Sequence, residues 1–328
     1  MTAAANPPRP RPARASRVLR AVRHRVLPVL TIVATLVALW YLACIPMNAQ
    51  QSVLEAERTG VAITPGSAAE RRDMSGLAIA IANPAPALER AFGQERARLP
   101  SPHQVVAELW DTTVGQNVTS RRSLVFHAGI TLGPTLLGFA IGSLAGILLA
   151  IGIVHSRVMD LSVMPWAIAS QTIPILAIAP MIIVVLNSIG LQGLIPKSII
   201  SAYLSFFPVT VGMVKGLRAP ATADLDLMRT WNASGLRTLV SLRLPSSLPY
   251  LFASLKIAVA AALVGAIIGE LPTGAVRGLG ARLLAGSYYG QTVQIWSALF
   301  GAAIVAAGLV AIIAWAERVT LTRMGLAR

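Results

Sequence analysis

Long apolar runs separated by short polar segments dominate the chain. Six of these runs approach the ~20 residues that an α-helix needs to cross a bilayer. They lie at about 27–45, 124–154, 163–186, 198–214, 250–271 and 292–316. The pattern predicts an all-α polytopic membrane protein with about six transmembrane helices.

The polar segments divide the chain further. Residues 1–25 hold seven arginines without an apolar period, which predicts a disordered basic tail. For 26–46, a retained first transmembrane helix is favoured over a cleaved signal peptide, whose apolar core usually has ~7–15 residues. A polar region at 47–123 precedes a core of five transmembrane helices at 124–317, and a short tail at 318–328 ends the chain.

The charge distribution predicts the orientation in the membrane. The formal net charge is +15. Segments on one side of the predicted spans carry 16 Lys and Arg residues, whereas the two shorter loops on the other side carry three. Because positive loops stay in the cytoplasm, we expect a multi-pass inner-membrane protein with both termini cytoplasmic and the 47–123 region outside. This placement favours a lipid bilayer over nucleic acid as the partner of the positive charge.

The second apolar run contains glycines at intervals of four or five residues, at 129, 133, 138, 142 and 146. Small residues at this spacing allow two membrane helices to approach closely. The sequence leaves open whether these glycines form a packing face or are merely tolerated.

The loop at 218–249 is the longest amphipathic interruption in the apolar second half. Asp224 and Asp226 are predicted in the first turn of a short helix, where negative charge suits the helix dipole. One face of this helix carries apolar residues every three positions, namely Leu225, Met228 and Trp231.

A second short helix is predicted in the same loop. Asn232 tolerates the left-handed backbone that often ends a helix, and Ser234 is a good N-cap for the next one. Pro245 is expected to stop this second helix, and Pro249 to lie in the first turn of the following span. The predicted result is a helix, a sharp turn and a helix at the membrane surface.

This loop resembles the signature of permease subunits of binding-protein-dependent ABC importers. The signature reads Glu-Ala-Ala, three residues, Gly, nine residues and Ile-x-Leu-Pro. Its positions are filled here by Asp226, Leu227, Met228, Asn232, Leu242, Leu244 and Pro245, of which only the last two are identical. The stretches at 99–102, 171–180 and 247–258 are similar to the nitrate, sulfonate and taurine subgroup.

The resemblance implies a type I ABC importer permease that forms the pathway for a small solute. Substrates in that subgroup include nitrate, sulfonates, taurine and pyrimidine-type vitamin precursors. The implied partners are a second copy of the permease, ABC ATPase subunits and an extracytoplasmic solute-binding protein. The residues implied in coupling to the ATPase are Asp226, Met228, Trp231, Asn232, Ser234, Gly235, Arg237, Leu244 and Pro245.

The sequence itself holds no phosphate-binding motif of the form G-x-x-x-x-G-K-[ST]. We therefore expect no catalytic residue and no cofactor on this chain, with ATP and magnesium bound by the partner ATPase. The four histidines are scattered, and no pair has metal-ligand spacing. The single cysteine, Cys44, excludes an internal disulfide.

Five residues are candidates for the translocation pathway: Gln171, Thr172, Pro174, Asn187 and Glu270. The first four lie in or next to a proline-broken run with unpaired carbonyl groups, and packing without solute contact is equally open for them. Glu270 is the one acid embedded in an apolar run, and intramembrane acids are often functional. Its place at the predicted outer end of a helix favours a solvated or interfacial position.

Two other classes of protein are alternatives. A secondary transporter would need polar ion-coupling groups at mid-membrane and often internal repeats, and neither is evident in this sequence. A polytopic membrane enzyme would need titratable residues clustered on one membrane face. The permease interpretation is therefore favoured over both.

Overall fold

The computed structural model describes residues 26–272 and 274–325, and every regular element within them is helical. Five of these helices are long and apolar enough to cross a membrane, and a bent pair of shorter helices makes a sixth if it is counted as one span. The prediction of an all-α polytopic protein is confirmed. The predicted tail at 1–25 lies outside the described residues. The chain divides into two compact units after residue 105.

Between residues 26 and 101, the first unit contains one long helix and three short ones. They are α1 (Leu27–Arg58), α2 (Ala68–Asp73), α3 (Gly76–Ala82) and α4 (Pro84–Glu89). The first predicted span, 26–46, is therefore only the first part of α1.

The second half of α1 is the scaffold of this unit. Ala49 is buried there against Ile79 of α3. The buried amide of Asn48 donates to the carbonyl oxygens of Ala91 and Leu99, both at 2.9 Å. The start of the polar 47–123 region is thus a folded helical unit built on α1.

A further short helix, α5 (Pro102–Trp110), crosses the division between the units. The second unit continues with α6 (Leu124–His155), α7 (Arg157–Ser170), α8 (Ile175–Ser188), α9 (Leu194–Leu217), α10 (Thr222–Thr230), α11 (Gly235–Thr238), α12 (Leu244–Glu270), α13 (Leu279–Tyr289) and α14 (Thr292–Arg323). The spans predicted second, fourth, fifth and sixth correspond to α6, α9, α12 and α14.

The core of the second unit is the packing of α9 against α6 and α12. A Cβ atom at Gly142 of α6 would lie 2.1 Å from Ser205 Oγ and 2.7 Å from the Ala202 carbonyl of α9, so only glycine allows this approach. A Cβ atom at Gly138 or Gly146 would also be too close to α9, whereas a Cβ atom at Gly129 would meet nothing within 4 Å. The packing face predicted as one possibility therefore exists, but not all the glycines belong to it.

The predicted third span at 163–186 is formed by two helices and not by one kinked helix. α7 and α8 are separate helices bent by 99° at a short break. Pro174 occupies the N-cap position of α8 with an extended ψ of 111°. Proline disfavours helical backbone in the residue before it, and this accounts for the break. Pro165 and Pro180, by contrast, lie inside helices.

The prediction that a helix ends at Pro245 is also wrong. α11, a π-helical turn at Leu239–Arg243 and α12 form one helix of 36 residues, from Gly235 to Glu270. The Leu244 amide bonds to the Leu239 carbonyl across the wide turn. A π turn lacks the regular bond pattern that proline interrupts, so Pro245 is accommodated directly after it.

The segment at 271–290, between the fifth and sixth predicted spans, contains a further helix, α13. Gly278 precedes α13 with φ 122°, and Gly290 follows it in the left-handed conformation with φ 66°. These glycines mark the two ends of a helix. α14 also continues to Arg323, past the predicted core boundary at 317.

Candidate functional site

The turn in the 218–249 loop closes with a pair of backbone bonds that requires left-handed backbone. Asn232 has φ 52° and is the one residue other than glycine with positive φ in the part of the chain that the structure describes. The Ala233 amide bonds to the Met228 carbonyl at 3.0 Å, and the Asn232 amide to the Arg229 carbonyl at 2.9 Å. This is the Schellman arrangement, with asparagine in place of the usual glycine. The predicted left-handed turn is confirmed.

The caps of the two short helices follow the prediction only in part. The Ser234 hydroxyl accepts the Arg237 amide at 3.3 Å, as expected of an N-cap. Of the two acids placed in the first turn of α10, only Asp224 lies there. Asp226 lies two residues further along the helix, outside its first turn, and pairs with Arg229 at 2.9 Å on the exposed surface. Its predicted interaction with the helix N-terminus is therefore wrong.

The base of the loop is fixed to the helix core. Leu239 is buried in an apolar cluster that includes Leu217. Arg243 Nη1 donates to the Leu217 carbonyl at 2.9 Å, which satisfies a carbonyl at the end of α9. Arg218 pairs with Asp160 of α7 at 2.8 Å. The base of the loop therefore contacts α7, α9 and α12.

The outer surface of the loop exposes large apolar side chains. They are Leu227, Trp231, Leu236 and Val240, which are 48%, 70%, 71% and 55% exposed. Exposed arginines at 229 and 237 lie among them. Clustered exposed apolar residues rimmed by charge are typical of protein interfaces.

The remaining loop residues predicted to act in coupling occupy different environments. Met228, Leu244 and Pro245 are half-buried. Gly235 is exposed at the start of α11, and a Cβ there would meet nothing within 4 Å. A pocket of about 250 Å³ includes Gly235 in its lining, together with His155, Leu225, Arg229, Ala233, Thr238 and Arg243.

Three of the five pathway candidates lie together. Gln171, Thr172 and Pro174 form the break between α7 and α8, and all three are exposed. The hydroxyl of Tyr203 on α9 donates to the Ser170 carbonyl at the edge of this break. Asn187 is exposed at the opposite end of α8, so the structure does not bring it to the same place.

The expectation that Glu270 is solvated is wrong, because its side chain is completely buried at the end of α12. Its Oε1 accepts the Thr131 hydroxyl of α6 at 2.9 Å. Its Oε2 accepts the Gly280 amide of α13 at 2.7 Å. A buried carboxylate is costly unless it is hydrogen-bonded, and these partners provide that compensation.

The contacts of Glu270 are part of a larger set of hydrogen bonds, in which side chains of other helices cap the N-terminus of α13. The Leu279 amide donates to Thr131 Oγ1 at 2.9 Å, and the Gly278 amide donates to His127 Nδ1 at 2.9 Å. His127 Nε2 then donates to the Arg121 carbonyl at 2.9 Å, which fixes the tautomer of the ring. Amides at a helix N-terminus lack partners within their helix. Here α6 and α12 supply them, and α13 is held in place.

Two further features surround this capped helix. A Cβ atom on Gly278 would lie 2.4 Å from the Glu270 carboxylate, so glycine is required there for space as well as for its backbone. Burial lowers the pKa of the Arg282 guanidinium on α13, and Glu108, 3.8 Å away, opposes that shift.

Sequence reasoning missed His127 and Thr131 as members of this group. The Gly278-Leu279-Gly280 segment soon after Glu270 was the one local signal of a helix start that a carboxylate could cap. Thr131 and Leu279 are 148 residues apart, and no local pattern indicates that they meet.

Residues 142–325 match the family described as binding-protein-dependent transport system inner membrane component. The chain is 36% identical over 181 residues to a probable ABC transporter permease protein of Haemophilus influenzae, an alignment that covers 55% of this chain and 69% of the relative. It is 33% identical over 183 residues to the formylaminopyrimidine transport permease protein ThiX of Halalkalibacterium halodurans, covering 56% and 68% of the two chains. It is 28% identical over 220 residues to the riboflavin transport system permease protein RibX of Chloroflexus aurantiacus, covering 67% and 78%.

Proposed function

This chain belongs to the family of binding-protein-dependent transport system inner membrane components, and we propose that it couples solute import to a separate ATPase through its 218–249 loop. The observation that carries the proposal is the construction of the loop. Its base is bonded to α9 and α7, while its outer surface exposes four large apolar side chains. A segment whose base is bonded to the helix core and whose surface is apolar is suited to docking a partner protein and to transmitting its movement.

The coupling step follows from the continuous helix that begins in this loop. Leu236 lies at its exposed start and Glu270 at its buried end. The helix has 36 residues, from Gly235 to Glu270. At a rise of 1.5 Å per residue, it extends ~54 Å. ATP binding that draws two ATPase subunits together would shift α11 and, with it, the far end of α12. The two states must differ in their contacts with the ATPase for such coupling to occur.

The proposed assembly contains two copies of this permease, two ATPase subunits carrying ATP and magnesium, and an external solute-binding protein. Family membership supports the ATPase and the binding protein as partners. In support of a homodimer, the α7–α8 pair exposes large apolar residues such as Trp166 and Met181, 78% and 66% exposed, which a second copy or lipid must cover. The core at 124–317 would form the pathway, and the 218–249 loop and both termini would be cytoplasmic.

The break between α7 and α8 is the proposed solute-contacting element. Gln171 and Thr172 present polar side chains at a point where the backbone leaves the helical pattern. Irregular backbone at membrane depth is tolerated where it lines a cavity or is buried in protein. Pro174 produces this break. Asn187 is proposed to line an end of the same pathway, and Glu270 is proposed to act by holding α13.

Among the substrates implied by the resemblance, we favour a pyrimidine-type precursor over nitrate, sulfonates or taurine. The support is the 33% identity to a permease named for formylaminopyrimidine. The substrate is assigned by this relationship alone.

Uptake into proteoliposomes tests the proposal. The chain would be reconstituted with a candidate ATPase and a candidate binding protein from the same organism, and uptake of labelled formylaminopyrimidine would be measured with ATP inside or outside the vesicles. Uptake should require ATP on the side of the membrane where the 218–249 loop lies. Uptake driven by an ion gradient in the absence of ATP would contradict the proposal and favour a secondary transporter.

Labelling of single cysteines tests the orientation. On a Cys44→Ser background, Val276→Cys should react with an impermeant thiol reagent in intact cells, and Ser234→Cys should react only after the membrane is opened. The opposite result would place the 218–249 loop outside and remove it from any contact with a cytoplasmic ATPase.

A further inference from the structure

A pocket of about 490 Å³ lies within the first compact unit, against the second half of α1. Its volume is in the range of cavities that hold small organic molecules. The α1 residues in its lining are Gln50, Val53 and Leu54. The other lining residues are Ala68, Arg71 and Arg72 of α2, Ile79 of α3, and Arg98. The family match begins at residue 142, so this pocket lies outside it.

The buried part of the pocket wall is apolar. Val53 and Ile79 are almost completely buried and belong to one apolar cluster, which is the core of this unit. Leu54 also lines the pocket and is exposed. Covering such a side chain with the apolar part of a ligand is favourable, because it removes apolar surface from water.

The rest of the wall is positively charged. Three arginines line the pocket, and the described lining residues include no acidic side chain. Arg71 is already engaged, because it pairs with Glu57 and donates to two backbone carbonyls of the preceding loop. Arg72 and Arg98 are exposed, and neither forms an ion pair within residues 26–272 and 274–325. Two positive charges are therefore uncompensated beside an apolar surface.

The backbone segments that carry these two arginines are fixed to α1. Arg72 follows Arg71, whose guanidinium pairs with a carboxylate of α1. Arg98 precedes Leu99, whose amide donates to Asn48 Oδ1 at 3.1 Å and whose carbonyl accepts the Asn48 amide at 2.9 Å. The site is therefore largely formed before a ligand arrives, which lowers the entropic cost of binding.

We propose that this pocket binds a phosphate monoester that carries an apolar body. Arg72 and Arg98 would bind the phosphate, and the body would cover Val53, Leu54 and Ile79. A phosphate monoester has a charge of about −1.5 to −2 near pH 7, which matches two uncompensated arginines. Arginine also binds phosphate through two parallel N–H···O bonds. The inference is independent of the proposed transport function, because it concerns a unit outside the family match.

Two sources could supply this chemistry. The apolar run that predicts the first span ends at about residue 45, and Gln50 follows ~8 Å further along α1. This placement brings the pocket close to the level of the lipid headgroups. Phosphatidic acid presents a phosphate monoester on an apolar body there, and a soluble phosphate ester presents the same groups from the aqueous side.

Calorimetric titration of the full chain in phosphatidylcholine nanodiscs, with phenyl phosphate as the probe, tests the pocket. Arg72→Gln and Arg98→Gln should each weaken binding about tenfold or more, because each removes a charge-assisted hydrogen bond. Arg96→Gln is the matched control and should bind as wild type does, because Arg96 is exposed and does not line the pocket. Leu54→Asn should weaken the binding of phenyl phosphate but not of inorganic phosphate.

Nanodiscs that contain phosphatidic acid distinguish the two sources. If the lipid is the occupant, phosphatidic acid should compete with phenyl phosphate for the wild type, whereas phosphatidylglycerol, a charged phosphodiester, should not. If a soluble ester is the occupant, both lipids should have the same small effect. Either result supports the pocket when binding also depends on Arg72 and Arg98.

Three results would overturn the inference. The first is that the wild type does not bind phenyl phosphate. The second is equal affinity of the wild type, Arg72→Gln and Arg98→Gln. The third is equal affinity of the wild type for phenyl phosphate and inorganic phosphate, which would show that charge alone holds the anion and that the apolar wall takes no part.

Discussion

The Glu270 carboxylate lies 2.7 Å from the amide nitrogen of Gly280, which joins the end of α12 to the first turn of α13. α12 is continuous with α11 in the 218–249 loop. The helix that begins in the loop is therefore connected, through one buried hydrogen-bonded group, to a helix at the opposite end of the core.

Thr131→Val should weaken this junction. Valine has nearly the same shape as threonine but neither accepts the Leu279 amide nor donates to Glu270. Leaving a buried amide without a partner costs ~1–3 kcal/mol, so the melting temperature of the purified chain should fall. The melting temperature of Thr131→Ser, which keeps the hydroxyl, should fall less.

The matched control for that substitution is Thr322→Val on α14. The Thr322 hydroxyl is exposed and bonds only within its own helix, to the Arg318 carbonyl at 2.6 Å. An equal effect of Thr131→Val and Thr322→Val would show that the capping of α13 does not contribute to stability.

Substitutions of Asn232 should separate backbone conformation from side-chain chemistry. Asn232→Gly should assemble with the ATPase and transport as wild type does, because glycine adopts φ near 52° without strain. Asn232→Val should assemble poorly, since left-handed backbone costs roughly 1–2 kcal/mol for an ordinary residue. Both should still insert into the membrane. If valine is tolerated and glycine is not, Asn232 acts through its amide and the left-handed turn is not its function.

Asp226→Asn should affect coupling more than stability. The pair that Asp226 forms with Arg229 is exposed, at 64% and 81% of the two side chains, and such pairs contribute little to folding. We expect an unchanged melting temperature but reduced stimulation of ATPase activity by the binding protein. Asp224→Asn, in the first turn of the same helix, is the control. It should lower the melting temperature but leave the stimulation of ATPase activity by the binding protein unchanged. Unchanged stimulation in Asp226→Asn would remove this acid from the docking surface.

Two glycines of α6 provide a paired test of the helix packing. Gly142→Ala should destabilise the fold by ~1–3 kcal/mol, because its Cβ would meet Ser205 and the α9 backbone and overpacking has a cost of this size. Gly129→Ala meets nothing within 4 Å and should be neutral or slightly stabilising. Thermal unfolding in detergent compares the two. Equal melting temperatures would contradict the close packing of α6 and α9.

The features that the sequence predicted correctly are those set by neighbouring residues. The left-handed turn at Asn232 and the cap at Ser234 each depend on no more than six consecutive residues, so their chemistry is readable locally. The apolar runs also predicted α6, α9, α12 and α14, since crossing a bilayer imposes a length on each.

The features that the sequence did not predict depend on distant partners or on competition between local signals. The sequence alone favours a solvated or interfacial Glu270, because its compensating partners, Thr131 and Gly280, come from other helices. Pro174 breaks a helix where Pro165 and Pro180 do not, and the three look alike in sequence. The sequence predicts that a helix ends at Pro245, because the π turn that accommodates this proline has no sequence signature of its own.

Cross-linking from the 218–249 loop tests the central claim most directly. On a Cys44→Ser background, Leu236→Cys would be treated with a short bifunctional thiol reagent in membranes that also contain the partner ATPase with single cysteines on its surface. Our account predicts an ATPase adduct from Leu236→Cys whose yield changes when ATP is added, and none from Val276→Cys at the other end of the core. Absence of an ATPase adduct from cysteines at Leu227, Trp231, Leu236 and Val240 alike, with the assembled complex intact, would contradict it.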